Sequence, residues 1–240
     1  SIPLVPNSIS WWIVNASGRT IISIFLGVSA NGVYAVANKF ASILMTIFNI
    51  FNLAWTESVV VNHKKLDFQQ FFQQTVSIVF EFFSYAAIGM IIIIPICYNL
   101  LIDVAYSDAY NQIPILIIAM LINVVQGLYS TIYVAEKKSK ELAKSTILGS
   151  VINIIINISI IKFVGLYATS FATLISYAGI TVWRYVDITN RIDVKINLQT
   201  LIKVSVLLLV SIFNYYFKII NPFIFFVIII VIILFFIKKY

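Results

Sequence analysis

The polar positions of this chain fall in short clusters between long apolar runs, and the runs set the architecture. Eight runs can be counted, at roughly 3–26, 32–58, 70–100, 109–135, 141–161, 165–186, 200–217 and 221–237. Each has the length of a membrane helix and none alternates with period two over a barrel-strand length, so the pattern predicts helices rather than a β-barrel. The runs differ in texture. The fifth places Ser145, Gly149, Asn153 and Asn157 four residues apart, and the sixth answers with Thr169, Thr173 and Ser176. Small and amide side chains at that spacing form a seam along which two helices approach closely. The last two runs are apolar on all sides, which suits helices that face lipid over much of their circumference. The predicted organisation is therefore all-α, a polytopic membrane helix bundle of about eight transmembrane helices. Residues 1–190 form a six-helix bundle and residues 191–240 two peripheral C-terminal helices. Asp67 to Gln74, with four glutamines and three phenylalanines, reads as a helix start near the lipid headgroups.

Composition narrows the class further. With 61% hydrophobic residues, 10% charged residues and a mean hydropathy of +1.02, the chain has no water-soluble reading. Its net charge of +7 sits in the connections and not on one face, so it reports topology and not nucleic-acid binding. Lys64 and Lys65 follow the second run; Lys137, Lys138, Lys140 and Lys144 the fourth; Arg184, Arg191, Lys195 and Lys203 the sixth; Lys238 and Lys239 the eighth. The intervening connections hold Lys162 and Lys218 with Asp103 and Asp108. The positive-inside bias then puts both chain ends in the cytoplasm. Because the chain opens on Ser1, it is read as part of a longer protein. His63 sits in a basic connection, and the lone Cys97 can form no internal disulfide. No cluster has metal-ligand spacing, no glycine-rich loop cradles phosphate and no nucleophile has a visible base. No metal, no cofactor and no enzymatic activity are expected.

The candidate chemistry lies in the first hairpin. Arg19 lies ten residues before Ser29 and Lys39 ten residues after it. With a turn from Gly27 to Gly32, two antiparallel helices would set both cations at one depth, about 15 Å from the turn. A bare cation in lipid costs about 2.5–3.5 kcal/mol on insertion scales. Two at one level imply a hydrated cavity, a carboxylate partner or an anionic ligand. Intramembrane carboxylates are few: Glu57 near the far end of the second run and Glu81 in the third. These two are the candidates for charge pairing or ion coupling, and Glu81 is expected to face protein or water. Asn15, four residues before Arg19, and Asn38, beside Lys39, extend the polar sectors. Trp11 and Trp12 suit a membrane interface, and stacking on a sugar is the sharper reading.

The stretch that carries these residues has a familiar pattern: SWW, then FLGVSANG.YA.ANKF, then FN.AW.ES, all between Pro3 and Ser58. It resembles the start of the second half of the bacterial polysaccharide flippases, the Wzx-like, O-antigen and capsule branch of the multidrug/oligosaccharidyl-lipid/polysaccharide transporters. The resemblance implies helices seven to fourteen of a fourteen-helix protein built from two six-helix bundles and two extra helices. It further implies a multi-pass protein of the bacterial cytoplasmic membrane, with the N-terminal bundle as its partner. The cargo would be a polyprenyl-pyrophosphate-linked oligosaccharide, moved to the outer leaflet by alternating access, with a coupling ion among the possible partners. Arg19, Lys39, Asn15, Asn38 and Trp12 would be the substrate-binding residues; membrane lipid would be a partner and nucleic acid would not. Other readings compete. A drug exporter of the same superfamily fits poorly with two extra apolar helices and a cationic hairpin, whereas a peptidoglycan-precursor flippase shares both. A polysaccharide polymerase or ligase would carry a large outward loop, yet the longest outward connection runs only from about Asn99 to Asp108. An assembly scaffold leaves the paired cations without a role.

Overall fold

The computed structural model describes residues 17–192 and 197–237. Among them the only regular elements are helices. A short helix α1 covers 17–25, followed by α2 (Val28–Asn62), α3 (Phe68–Leu101) and a 3-10 segment (Val104–Gln112). Then come α4 (Ile113–Ala135), α5 (Ser139–Val164), α6 (Tyr167–Thr189), α7 (Leu198–Phe217) and α8 (Pro222–Ile237).

Five helical units among the described residues are long and apolar enough to cross a membrane: α2, α3, α4 with its 3-10 lead-in, α5 and α7. The apolar runs predicted eight. At 23 residues α6 has spanning length, but its serines, threonines and the charged Arg184 and Asp187 dilute its apolarity. The 16 residues of α8 are fewer than the roughly 20 that a hydrocarbon core about 30 Å thick calls for. Most of the first predicted run, with Trp12 and Asn15, lies outside the described residues. The chain is thus an all-helical, multi-pass membrane protein.

The most enclosed helix is α4. It touches α2, α3, α5 and α6, and it is buried around nearly its whole circumference, from Ile113, Leu116 and Ile117 to Leu128 and Ile132. Aromatic side chains fill the layer between α2, α3 and α4. Phe48 meets Phe83 edge to face at 5.5 Å, and Trp55 lies 5.5 Å from Phe72 and donates to the Leu128 carbonyl at 3.5 Å. Such contacts add about 0.5–1.5 kcal/mol per ring pair beyond burial itself. On the far side of α4 the predicted small-residue seam joins α5 to α6. Gly149 lies directly against Ile180, and Asn157 accepts from the Thr169 hydroxyl at 3.0 Å. Helices α7 and α8 both pack on α3, with Leu207 buried and Leu209 exposed.

Two polar clusters tie the ends of the bundle. At one end Tyr110 stacks on Tyr215 at 4.3 Å, and Tyr215 donates to the Tyr110 carbonyl at 2.7 Å, so the 3-10 segment is clasped to α7. At the other, Arg191 pairs with Glu136 and Asp187, Lys138 pairs with Glu136 at 2.9 Å, and the Tyr133 hydroxyl donates to Asp187 at 2.6 Å. Partial burial lowers the Arg191 pKa, and the two carboxylates more than offset it, so the guanidinium lies above its ordinary value.

The charge count along the connections needs correcting. Arg184 is inside α6 and only 2% exposed. Its Nε donates to Ser145 Oγ at 3.1 Å, Nη1 to the Gln126 carbonyl at 3.1 Å and Nη2 to Thr146 Oγ1 at 2.9 Å. Lys140 and Lys144 belong to α5 and Lys203 to α7, while Lys195, Lys238 and Lys239 lie outside the described residues. A cation beside an apolar run can enter the protein if neighbouring helices supply acceptors, and here α4 and α5 do.

Candidate functional site

The α1–α2 hairpin turns at Leu26–Gly27, and Gly27 is its pivot. The residue has φ +93°, a conformation that a side chain would strain. Helix α2 begins at once on Val28, so Asn31 and Gly32 are helical and not part of the turn as their glycine-rich surroundings suggest. This changes the register of the two cations. Arg19 lies eight residues before Gly27 and Lys39 twelve after it. The difference of four residues is one helical turn, about 6 Å, so they are stepped and not level.

Both cations are exposed. Arg19 Nε donates to Asn31 Oδ1 at 3.3 Å, which leans the guanidinium towards the turn. The Lys39 ammonium has no hydrogen-bond or ion-pair partner among the described residues, and neither has the Glu57 carboxylate. Lys39 and Glu57 are 18 residues apart, five turns at about 3.6 residues per turn, and so lie on one stripe of α2. Ile43, Thr46, Ile50 and Leu53 continue that exposed stripe between them. A face that alternates apolar residues with an unpaired cation, a hydroxyl and an unpaired carboxylate is poorly suited to hydrocarbon. It suits a hydrated gap or a second polar surface.

The other candidates sit elsewhere. Asn38 lines a small interior cavity of about 10 Å³ with Gly18, Tyr34, Thr169 and Thr173, room for about one water. Adjacent residues on a helix point about 100° apart, so Asn38 faces inward where Lys39 faces out. Glu81, in α3, is half-buried and accepts from Thr200 Oγ1 of α7 at 2.9 Å. That hydrogen bond gives Glu81 a protein partner remote from the hairpin. Asn31 and Thr200 are the residues missed by reading the sequence. A helical wheel finds the Lys39–Glu57 stripe, but no local pattern points from Thr200 to Glu81 across 119 residues.

Buried polar atoms without partners cluster on the α5–α6 seam: both polar atoms of Asn153, Asn157 Nδ2 and Ser176 Oγ. No group of three or more His, Cys, Asp or Glu residues among the described residues could hold a metal ion. No protein-family model, no curated protein and no solved structure matches the chain.

Proposed function

We propose that this chain is one half of a membrane flippase for a polyprenyl-pyrophosphate-linked oligosaccharide, acting in a bacterial cytoplasmic membrane. The observation that carries the reading is the α1–α2 hairpin, where Arg19 and Lys39 are both exposed, one turn apart in register and without a carboxylate partner among the described residues. A pyrophosphate carries the charge that such a hairpin lacks. The guanidinium offers a planar fork to phosphate and the ammonium a point charge, so their contacts would be complementary. The facing wall would come from a second helical bundle, and alternating exposure of the gap would move the charged head past the hydrocarbon. The stepped register supports successive contacts along the path of the head.

The test is export in the full-length protein. Arg19→Ala should leave protein amount unchanged and lower surface polysaccharide about tenfold or more, the loss expected for a charge-assisted hydrogen bond of about 1.5–3 kcal/mol. Arg19→Lys should restore part of the loss. Normal export by a variant carrying both Arg19→Glu and Lys39→Glu would sink the proposal.

A further inference from the structure

A second site opens elsewhere on the bundle, with no residue of the hairpin in its lining. An apolar fissure of about 290 Å³ runs between α3, α4, α6 and α7, walled by Val76, Phe80, Ile122, Val125, Val182 and Leu201. It is continuous with a polar vestibule of about 550 Å³ lined by Asp67, Gln70, Gln73, Gln74, Ser77 and Asn197. Gln73, Ser77 and Asn197 belong to both, so the two are one amphipathic groove.

Its polarity matches membrane depth. Helix α3 has 34 residues and is about 51 Å long, some 20 Å more than a hydrocarbon core of about 30 Å. Shared between its ends, the excess places about seven residues of each end among the headgroups. At the N-terminal end these are Phe68 to Gln74, the residues that supply the vestibule. On that equal sharing, the fissure starts where the hydrocarbon does.

The chemistry of the vestibule then selects the head. Its described lining includes no lysine or arginine and does include Asp67, so it offers a phosphate no cation to pair with. Its amides and the Ser77 hydroxyl can both donate and accept, as sugar hydroxyls do. Asn197 Oδ1 is engaged in capping α7, accepting from Gln199 N and Thr200 N, which leaves its Nδ2 as a donor. We infer that this groove binds a membrane amphiphile with a neutral, hydroxyl-rich head, a glycolipid, with the sugar among the glutamines and one chain in the fissure. The inference stands apart from the hairpin reading, since it uses none of the same residues and predicts the opposite head chemistry.

The full chain in lipid nanodiscs is the material for the test. Two photoreactive probes share one diazirine-bearing alkyl chain, one with a glucoside head and one with a phosphate head. At equal concentration the glucoside should label residues around Val125 and Val182 about fivefold more, as expected from one or two hydrogen bonds gained. Val125→Trp in α4, or Val182→Phe in α6, should abolish that labelling, with unfolding temperature showing that each variant folds. Gln70→Ala with Gln74→Ala should bring the glucoside down to the phosphate level. Equal labelling by both heads would mean a fissure that takes any alkyl chain and would overturn the inference. So would a preference for phosphate, or labelling indifferent to both filling variants. None of these outcomes bears on the Arg19 export test.

Discussion

Arg184 is the residue whose environment departs furthest from its local sequence. It is a buried cation held by two hydroxyls and one backbone carbonyl, with no carboxylate among its partners. Ser145 and Thr146 do not depend on it for their own hydrogen bonds, because both also donate to the Leu142 carbonyl, at 2.8 and 3.0 Å. Removing the charge while keeping the volume should therefore cost little, since the desolvation of the guanidinium is relieved at the same time. Arg184→Met is expected to lower stability by less than about 1 kcal/mol, whereas Arg184→Ala, which leaves a void, should lower it by about 2–4 kcal/mol. Thermal unfolding in detergent compares the two. Equal losses would mean that the charge, and not the packing of its stem, holds α4, α5 and α6 together. The same scale explains Asn38 and Lys39, adjacent in sequence and divided between interior and exterior by the 100° step of a helix.

Between elements, the α5–α6 seam leaves less room for a side chain at its glycine than any other described glycine position has. A Cβ placed on Gly149 would collide with the Ile180 side chain and meet the Ser176 carbonyl at 3.7 Å. Gly149→Val should push the two helices apart and cost about 1–3 kcal/mol by overpacking, read as a lower unfolding temperature with helicity retained. A second change, Ile180→Ala, vacates the space that the valine needs, so the pair should recover part of the loss; strictly additive losses would show that the strain lies elsewhere. The seam was readable in the sequence because small and polar residues recur every four residues on α5 and every three or four on α6. The bond from Thr200 to Glu81 was not, since it depends on α7 lying along α3.

At the scale of the molecule, α3 carries the topology. It joins the connection around Lys65 to the one around Asp103, and it is long and apolar enough to cross the membrane. In a Cys97→Ala background, Lys65→Cys and Asp103→Cys should react with a membrane-impermeant thiol reagent from opposite sides of sealed vesicles. Labelling from the same side would show that α3 does not cross. The positive-inside rule gives the side of Lys65 as cytoplasmic, and the same experiment in oriented cells tests that orientation.

What the sequence determined by itself was the helical class and most helix limits. The fourth to seventh apolar runs, at 109–135, 141–161, 165–186 and 200–217, correspond to α4, α5, α6 and α7 within a few residues. In lipid each backbone group must bond within its own helix, so the length of an apolar run is a local property that needs no partner. The tertiary structure alone decided which apolar helix is central. The runs of α4 and α7 look alike, yet α4 is enclosed by four helices and α7 lies on α3 with Leu209 and Phe213 exposed. Lipid and protein interior accept the same side chains, so apolarity cannot tell the two apart. Charges show the converse: Arg19 and Arg184 both interrupt or border apolar runs, and only the neighbouring helices leave one exposed and enclose the other. The turn shows it at the smallest step, where α2 starts at Val28, three residues before Asn31, and turns two level cations into a stepped pair.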